Sequence, residues 1–93
     1  MKYEILFIVR PDLEEKLVKD TFKKFETLLV DNGAKVLSSK ELGQRELAYE
    51  IKKHKSGYYF LINVESDSKA INEFERVATL SEDIIRHITI KLD

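Results

Sequence analysis

The stretch Lys2-Tyr3-Glu4-Ile5-Leu6-Phe7-Ile8-Val9 decides how this chain folds. From Ile5 onward every residue is apolar, and the run is rich in β-branched and aromatic side chains, which favours a β-strand. Successive strand residues point to opposite faces, so a continuous apolar run is typical of a strand in the middle of a sheet. Arg10-Pro11-Asp12 ends the strand, since proline has no backbone N–H to donate to a ladder.

Further elements follow outward from this strand. Asp12, with Glu15 three residues later, resembles a capping box and predicts a helix whose apolar residues recur at spacings of three and four. Asn32-Gly33 predicts the end of that helix, and Gly43 predicts a bulge in the next strand. The remaining elements are a strand over 35–51, a polar hairpin loop over 52–57, a strand over 58–65, a helix capped by 66–68 and a strand over 84–92.

The order β-α-β-β-α-β predicts an α+β fold of the ferredoxin-like class. Right-handed crossovers place both helices on one face of a four-stranded antiparallel sheet. The first and third strands are then central, which agrees with their continuous apolar runs. With 93 residues, the chain is expected to form one domain over 1–93.

The composition is highly charged but balanced, with 16 Lys and Arg against 17 Asp and Glu and a formal net charge of -1. A protein that binds nucleic acid alone usually has a clear basic excess, so any RNA-binding residues must be clustered or assisted by a basic partner. The absence of cysteine excludes a disulfide framework and a thiolate metal site. No targeting segment is evident, and we expect a cytoplasmic location.

The sheet face opposite the helices carries the most informative pattern. A water-facing antiparallel sheet would be mainly polar there, and a contiguous apolar patch indicates an interface. Alternation assigns to the helix side Ile5, Phe7, Phe60, Ile62, Val64, Ile88, Ile90 and Leu92. It assigns to the open side Lys2, Glu4, Leu6, Ile8, Tyr59, Leu61, Asn63, Ile85, His87 and Lys91. The predicted partner-binding residues are Leu6, Ile8, Tyr59, Leu61 and Ile85.

Two basic groups could contact phosphates, which supply affinity without sequence readout. One is the loop cluster Lys52-Lys53-His54-Lys55, beside Tyr58 and Tyr59. The other is a terminal group on the first and last strands, formed by Lys2, Arg86, His87 and Lys91. Arg45 is a further candidate.

No pattern of a catalytic, cofactor or metal site occurs. His54 and His87 each lack a second histidine at metal-ligand spacing. The sequence contains no G-x-S-x-G, P-loop or G-x-G-x-x-G motif. Acid pairs such as Glu14-Glu15 and Glu82-Asp83 fall at helix starts or in turns, where they complement a helix N-terminus or stay solvated. We therefore expect neither enzyme activity nor a cofactor.

Four motifs follow one another along nearly the whole chain. The most specific is Leu42-Gly43-Gln44-Arg45-Glu46-Leu47-Ala48-Tyr49-Glu50-Ile51-Lys52-Lys53, followed by Gly57-Tyr58. The others are Tyr3-Glu4 with Val9-Arg10-Pro11, Asn32-Gly33-Ala34-Lys35-Val36, and Ile85-Arg86-His87. In this order and spacing the chain resembles the family of the sixth small-subunit ribosomal protein of bacteria. Glu50 departs from it, since family members often have proline there.

The resemblance implies a non-catalytic, structural role in the small ribosomal subunit. Family members bind the central domain of the small-subunit ribosomal RNA together with the eighteenth small-subunit protein, as a heterodimer. An apolar open face and a near-neutral charge agree with a partner that covers the face and supplies positive charge. Matching positions place near the RNA Lys2, Arg86, His87 and Lys91, with Arg45, Lys52, Lys53 and Lys55 as secondary candidates.

Other proteins share this element order. An RNA-recognition-motif module stacks bases on open-face aromatics, and Lys55-Ser56-Gly57-Tyr58-Tyr59-Phe60 is loosely similar to its aromatic strand. The first strand, however, offers Leu6 and Ile8 there and no aromatic. An acylphosphatase-like hydrolase needs a glycine-containing anion loop, whereas Arg10-Pro11-Asp12 has no glycine and carries a carboxylate. A small-molecule regulatory domain or a self-associating dimer stays open.

Overall fold

The computed structural model describes residues 1–92, and these form four strands and two helices in the predicted order. The elements are β1 (Lys2–Val9), α1 (Glu15–Asp31), β2 (Lys35–Ile51), β3 (His54–Glu65), α2 (Ser68–Leu80) and β4 (Ile84–Lys91). The strands pair antiparallel in the order β2-β3-β1-β4, so the two apolar strands β1 and β3 are central. The predicted ferredoxin-like fold is confirmed.

Phe7 lies at the centre of the core between the sheet and the helices. Its ring centroid is 5.4 Å from that of Phe60 on β3, 5.7 Å from Phe25 on α1 and 5.8 Å from Phe74 on α2. All four side chains are almost completely buried. Burial of one such ring contributes about 1.5–3 kcal/mol, so the cluster ties both helices to one face and leaves the other face free of helices.

The start of α1 differs from the prediction. The helix begins at Glu15 with Glu14 as its N-cap residue, and no side chain caps it. The Asp12 carboxylate instead lies 3.4 Å from the Arg10 guanidinium, which also donates to Asp83 at 3.0 Å. Arg10 rather than the helix N-terminus holds Asp12, so the capping-box prediction is wrong.

The other helix limits agree with the prediction. Asn32 is the C-cap residue of α1, and Gly33 follows with a φ of 99°, in the left-handed region that favours glycine. The Asp67 side chain accepts a hydrogen bond from the backbone N–H of Lys69 at 3.0 Å, which caps α2.

The β2–β3 hairpin is longer than predicted. Strand pairing continues until Ile51 lies opposite His54, so the expected polar loop over 52–57 shrinks to a two-residue turn. The turn residues Lys52 and Lys53 have φ values of 49° and 69°, as a type I′ turn requires. The predicted bulge at Gly43 is confirmed by a register shift between Glu41 and Gly43.

β4 departs from the predicted alternation by one residue. A bulge places Arg86 opposite Ile8 and Ile84 opposite Val9, which leaves Ile85 as the extra residue. After the bulge, His87 pairs with Phe7 on the helix side. Because paired residues share a face and a one-residue shift reverses every side chain, the predicted sides are wrong for His87, Ile88, Ile90 and Lys91.

Residue exposure agrees with the corrected register. Ile88 and Ile90 retain 37% and 49% of their accessible surface, which a core position would not allow. Leu92, also expected on the helix side, is exposed as well. The helix-side prediction is confirmed on β1 and β3, where Ile5, Phe7, Phe60, Ile62 and Val64 are all buried.

Candidate nucleic-acid and partner interface

The open face of the sheet has an apolar centre. Leu6 of β1 pairs with Leu61 of β3 on one side and with Ile88 of β4 on the other. Leu6 and Leu61 are half-buried, and Ile88 and the neighbouring Ile90 are exposed. We call Leu6, Leu61, Ile88 and Ile90 the apolar centre, and a contiguous patch of this kind indicates an interface. Alternation in the sequence places Ile88 and Ile90 on the helix side, because it does not reveal the bulge in β4.

Tyr59 lies beside this centre. It pairs with Ile8 on β1 and with Gly43 on β2, and it is half-buried. Its neighbours Tyr58 and Phe60 pair with Val9 and Phe7 and so face the helices. Of the three aromatic residues at 58–60, only Tyr59 therefore faces the open side.

The β2–β3 hairpin folds over one end of the open face. Lys52 Nζ at its turn donates to the backbone carbonyl of Ile84 at 3.4 Å, although β3 and β1 separate β2 from β4 in the sheet. Ile8 and Ile85 lie at this end and are only 4% and 5% exposed. A Cβ on Gly57 would overlap Ile8 and lie 3.4 Å from Ile85 Cδ1. These two predicted partner-binding residues are thus covered by the chain itself.

The predicted terminal basic group is divided between two ends of the sheet. Lys91 pairs with Tyr3, so Lys2 and Lys91 are neighbours along β1 and β4 as expected, but their side chains lie on opposite faces of the sheet. Both are exposed. Arg86 lies near the other end of β4, about 17 Å away at ~3.4 Å per strand residue. The four residues predicted to act together therefore belong to two separate positions.

Arg86 is instead brought together with the hairpin. Its Nη1 donates a hydrogen bond to the Tyr49 hydroxyl, and its guanidinium carbon lies 5.9 Å from the centroid of the Tyr49 ring. That distance is within the range of a cation–π contact. Tyr49 belongs to the motif over 42–53, and no pattern in the sequence predicts its contact with a residue on β4.

A groove runs between the hairpin turn and the start of β4. Its lining residues are Lys52, Ala78, Thr79, Ile84, Ile85, Arg86 and His87. Among these lining residues there is no carboxylate, and three of them carry nitrogen donors. We call this the turn groove. Lys53 follows Lys52 in the turn and is exposed. Lys55 is also exposed, but it lines a separate depression with Glu46, Tyr49 and Glu50.

His87 forms one wall of the turn groove and is held by α2. Its ring makes an edge contact with Phe74 at 5.9 Å, and its Nε2 lies 3.3 Å from Thr79 Oγ1. The Thr79 hydroxyl donates its proton to the Glu75 carbonyl at 2.7 Å, so it can only accept from His87. This requires the proton to be on Nε2 of the histidine.

Arg45 lies outside this groove. It pairs with Gly57 in the hairpin, is exposed, and donates to the Leu42 carbonyl at 3.3 Å. The structure thus does not bring Arg45 into the turn groove.

No group of three or more His, Asp or Glu side chains within residues 1–92 is placed to hold a metal ion. In the same part of the chain, neither helix is long and apolar enough to cross a membrane.

Comparison with known proteins supports the fold and the family resemblance. The family model described as "Ribosomal protein S6" matches residues 2–91. The crystal structure of 30S ribosomal protein S6 from Thermotoga maritima superposes with a TM-score of 0.94 at 27% sequence identity, covering 98% of this chain and 86% of that one. The resemblance inferred from the four motifs is therefore confirmed.

Proposed function

This chain belongs to the ribosomal protein S6 family, and we propose that it binds the central domain of small-subunit ribosomal RNA jointly with the eighteenth small-subunit protein, as a heterodimer. Members of the family are structural, non-enzymatic constituents of the small subunit of the cytoplasmic ribosome. Ribosomal RNA and ribosomal proteins are accordingly its class of partners. The joint binding and the identity of the protein partner are the proposed part.

The observation that supports the proposal best is the open face itself. The apolar centre, with its two exposed isoleucines, lies between basic residues at both ends of the open face: Lys2 at one end, Arg86 and the turn lysines at the other. A protein partner that covers the apolar centre would leave both basic ends at its margin, where they could reach phosphates.

The charge balance supports a joint complex. A formal net charge of -1 gives the isolated chain little long-range attraction to a polyanion. A basic partner seated between the two cationic ends would add the missing positive field. RNA affinity should therefore depend on the heterodimer rather than on this chain alone.

A titration of a central-domain ribosomal RNA fragment tests the proposal. Binding should be about 100-fold tighter when the eighteenth small-subunit protein is present, because two linked surfaces then contact one RNA. Fluorescence anisotropy at several salt concentrations would measure the dissociation constant and its salt dependence. Equal affinity with and without the partner would contradict the joint role, and a preference for single strands would favour the RNA-recognition-motif reading.

A further inference from the structure

We propose that the turn groove binds a backbone phosphate of the RNA, and that Tyr49 is the residue that positions Arg86 for it. The inference rests on the proposed RNA binding and deepens it. In the sequence, Arg86 and the hairpin lysines belong to separate basic groups. The structure joins them into one site built from β2, the turn and β4.

The residues that line the turn groove include cationic donors and no carboxylate. Lys52 Nζ donates one of its three N–H groups to the Ile84 carbonyl at 3.4 Å, which leaves two for a ligand. Arg86 likewise uses one guanidinium N–H on Tyr49 and keeps the others. Neither side chain forms one of the ion pairs seen within residues 1–92. Such a set of cationic donors favours an anionic ligand.

Tyr49 restricts the Arg86 side chain. A free arginine on an exposed strand samples many rotamers, and fixing it on binding costs conformational entropy. The Tyr49 hydroxyl and ring hold the guanidinium beforehand, so less conformational entropy is lost when a phosphate binds. The ring is itself 61% exposed, so this contact does not serve to bury Tyr49 in a core.

The backbone of the turn supports the same assignment. Lys52 and Lys53 both adopt positive φ, a region that is unfavourable for most residues and that Asn and Gly occupy more readily. Such strain is often retained where the side chains have a function. Binding of phosphate by the lysines supplies a reason for their presence in this turn.

A double-mutant cycle tests the role of Tyr49. The heterodimer with the eighteenth small-subunit protein is titrated with the central-domain RNA fragment, using Arg86→Gln, Tyr49→Leu and the double variant. Arg86→Gln should weaken binding roughly tenfold, the loss of a charge-assisted contact, and lower the salt slope by about one. Tyr49→Leu should weaken binding several-fold in the wild type and have no further effect when Arg86 is already replaced.

Two controls separate positioning from structure. Tyr49→Phe keeps the ring, and its RNA affinity should lie between those of the wild type and Tyr49→Leu. Lys16→Gln removes an exposed lysine on α1 and should leave the RNA affinity and the salt slope unchanged. The NMR signals of the Arg86 guanidinium, recorded without RNA, should sharpen or shift to an averaged position in Tyr49→Leu.

The outcomes are distinguishable. If Tyr49→Leu lowers RNA affinity equally in the wild type and in Arg86→Gln, Tyr49 acts independently of Arg86 and the positioning role is overturned. A loss from Lys16→Gln as large as that from Arg86→Gln would overturn the groove as a defined site. Failure of the wild-type heterodimer to bind RNA at all would overturn the proposed function itself, and this inference with it.

Discussion

At the scale of single residues, Gly57 shows how a missing side chain shapes the interface. It follows the hairpin turn and faces the open side, where an added Cβ would overlap Ile8 Cγ2 and lie 3.1 Å from the Val9 carbonyl oxygen. Its φ is not in the left-handed region, so space rather than backbone conformation requires glycine here. The close approach lets the hairpin cover Ile8 and Ile85.

Replacement of Gly57 by alanine should lower the free energy of unfolding by about 1–3 kcal/mol, the usual cost of overfilling a packed site. Urea denaturation followed by circular dichroism would measure it. Lys55→Ala is the matched control, since Lys55 is exposed on the same hairpin and should change stability by less than about 0.5 kcal/mol. Equal stabilities of the two variants would mean that Ile8 can move aside and that the hairpin is only loosely seated.

At the scale of elements, the β2–β3 hairpin combines a strained turn with two attachments to β4. Its turn residues have the φ values of a type I′ turn but are both lysines, whereas Asn-Gly is the pair that this turn favours. Lys52 Nζ and the Tyr49 hydroxyl attach the hairpin to Ile84 and Arg86. Residues that relieve the strain in this turn should therefore raise stability, but they should also remove the lysines that bind RNA.

The double substitution Lys52→Asn with Lys53→Gly tests that conflict. It should raise the free energy of unfolding by about 1–2 kcal/mol, because both new residues tolerate positive φ, while it weakens RNA binding by the heterodimer. Lys52→Gln with Lys53→Gln removes the same charges without relieving the backbone and should weaken RNA binding without raising stability. If the Asn-Gly variant binds RNA as well as wild type, the turn lysines do not contact it.

At the scale of the whole molecule, the sheet separates a core that holds the fold from a face that is free to bind. The aromatic cluster around Phe7 fixes both helices on one side. The apolar centre on the other side contributes less to stability, because Ile88 and Ile90 remain exposed on the edge strand β4. The two faces should therefore respond differently to an introduced charge.

Ile88→Asp should abolish measurable binding of the eighteenth small-subunit protein while it leaves the circular dichroism spectrum and the unfolding transition close to wild type. Ile62→Asp, on the buried helix side, should instead destabilise the fold by several kcal/mol, since an unpaired charge would be placed in the core. Calorimetric titration with the partner and thermal unfolding would measure both effects. Unfolding of the Ile88→Asp variant would show that this residue faces the helices after all.

The order of elements, the two central strands and the helix-side core on β1 and β3 follow from the sequence alone. Continuous apolar runs, helical periodicity and caps such as Asp67 are local, and local patterns are visible without a structure. The family resemblance likewise depends on motifs such as Gly43 to Lys53 that stand in the chain as written. These features determined the fold class and the small-subunit assignment.

The faces of β4 and the composition of the basic sites were decided only by tertiary structure. The bulge opposite Ile8 shifts the register by one residue, and no residue type in Ile85-Arg86 marks it. The contact between Tyr49 and Arg86 joins residues 37 positions apart, and the hairpin that brings them together also buries Ile8 and Ile85. Period-two alternation carries no information about an inserted residue or about a hairpin that folds back over its own sheet, so packing alone determines which side chains the open face presents.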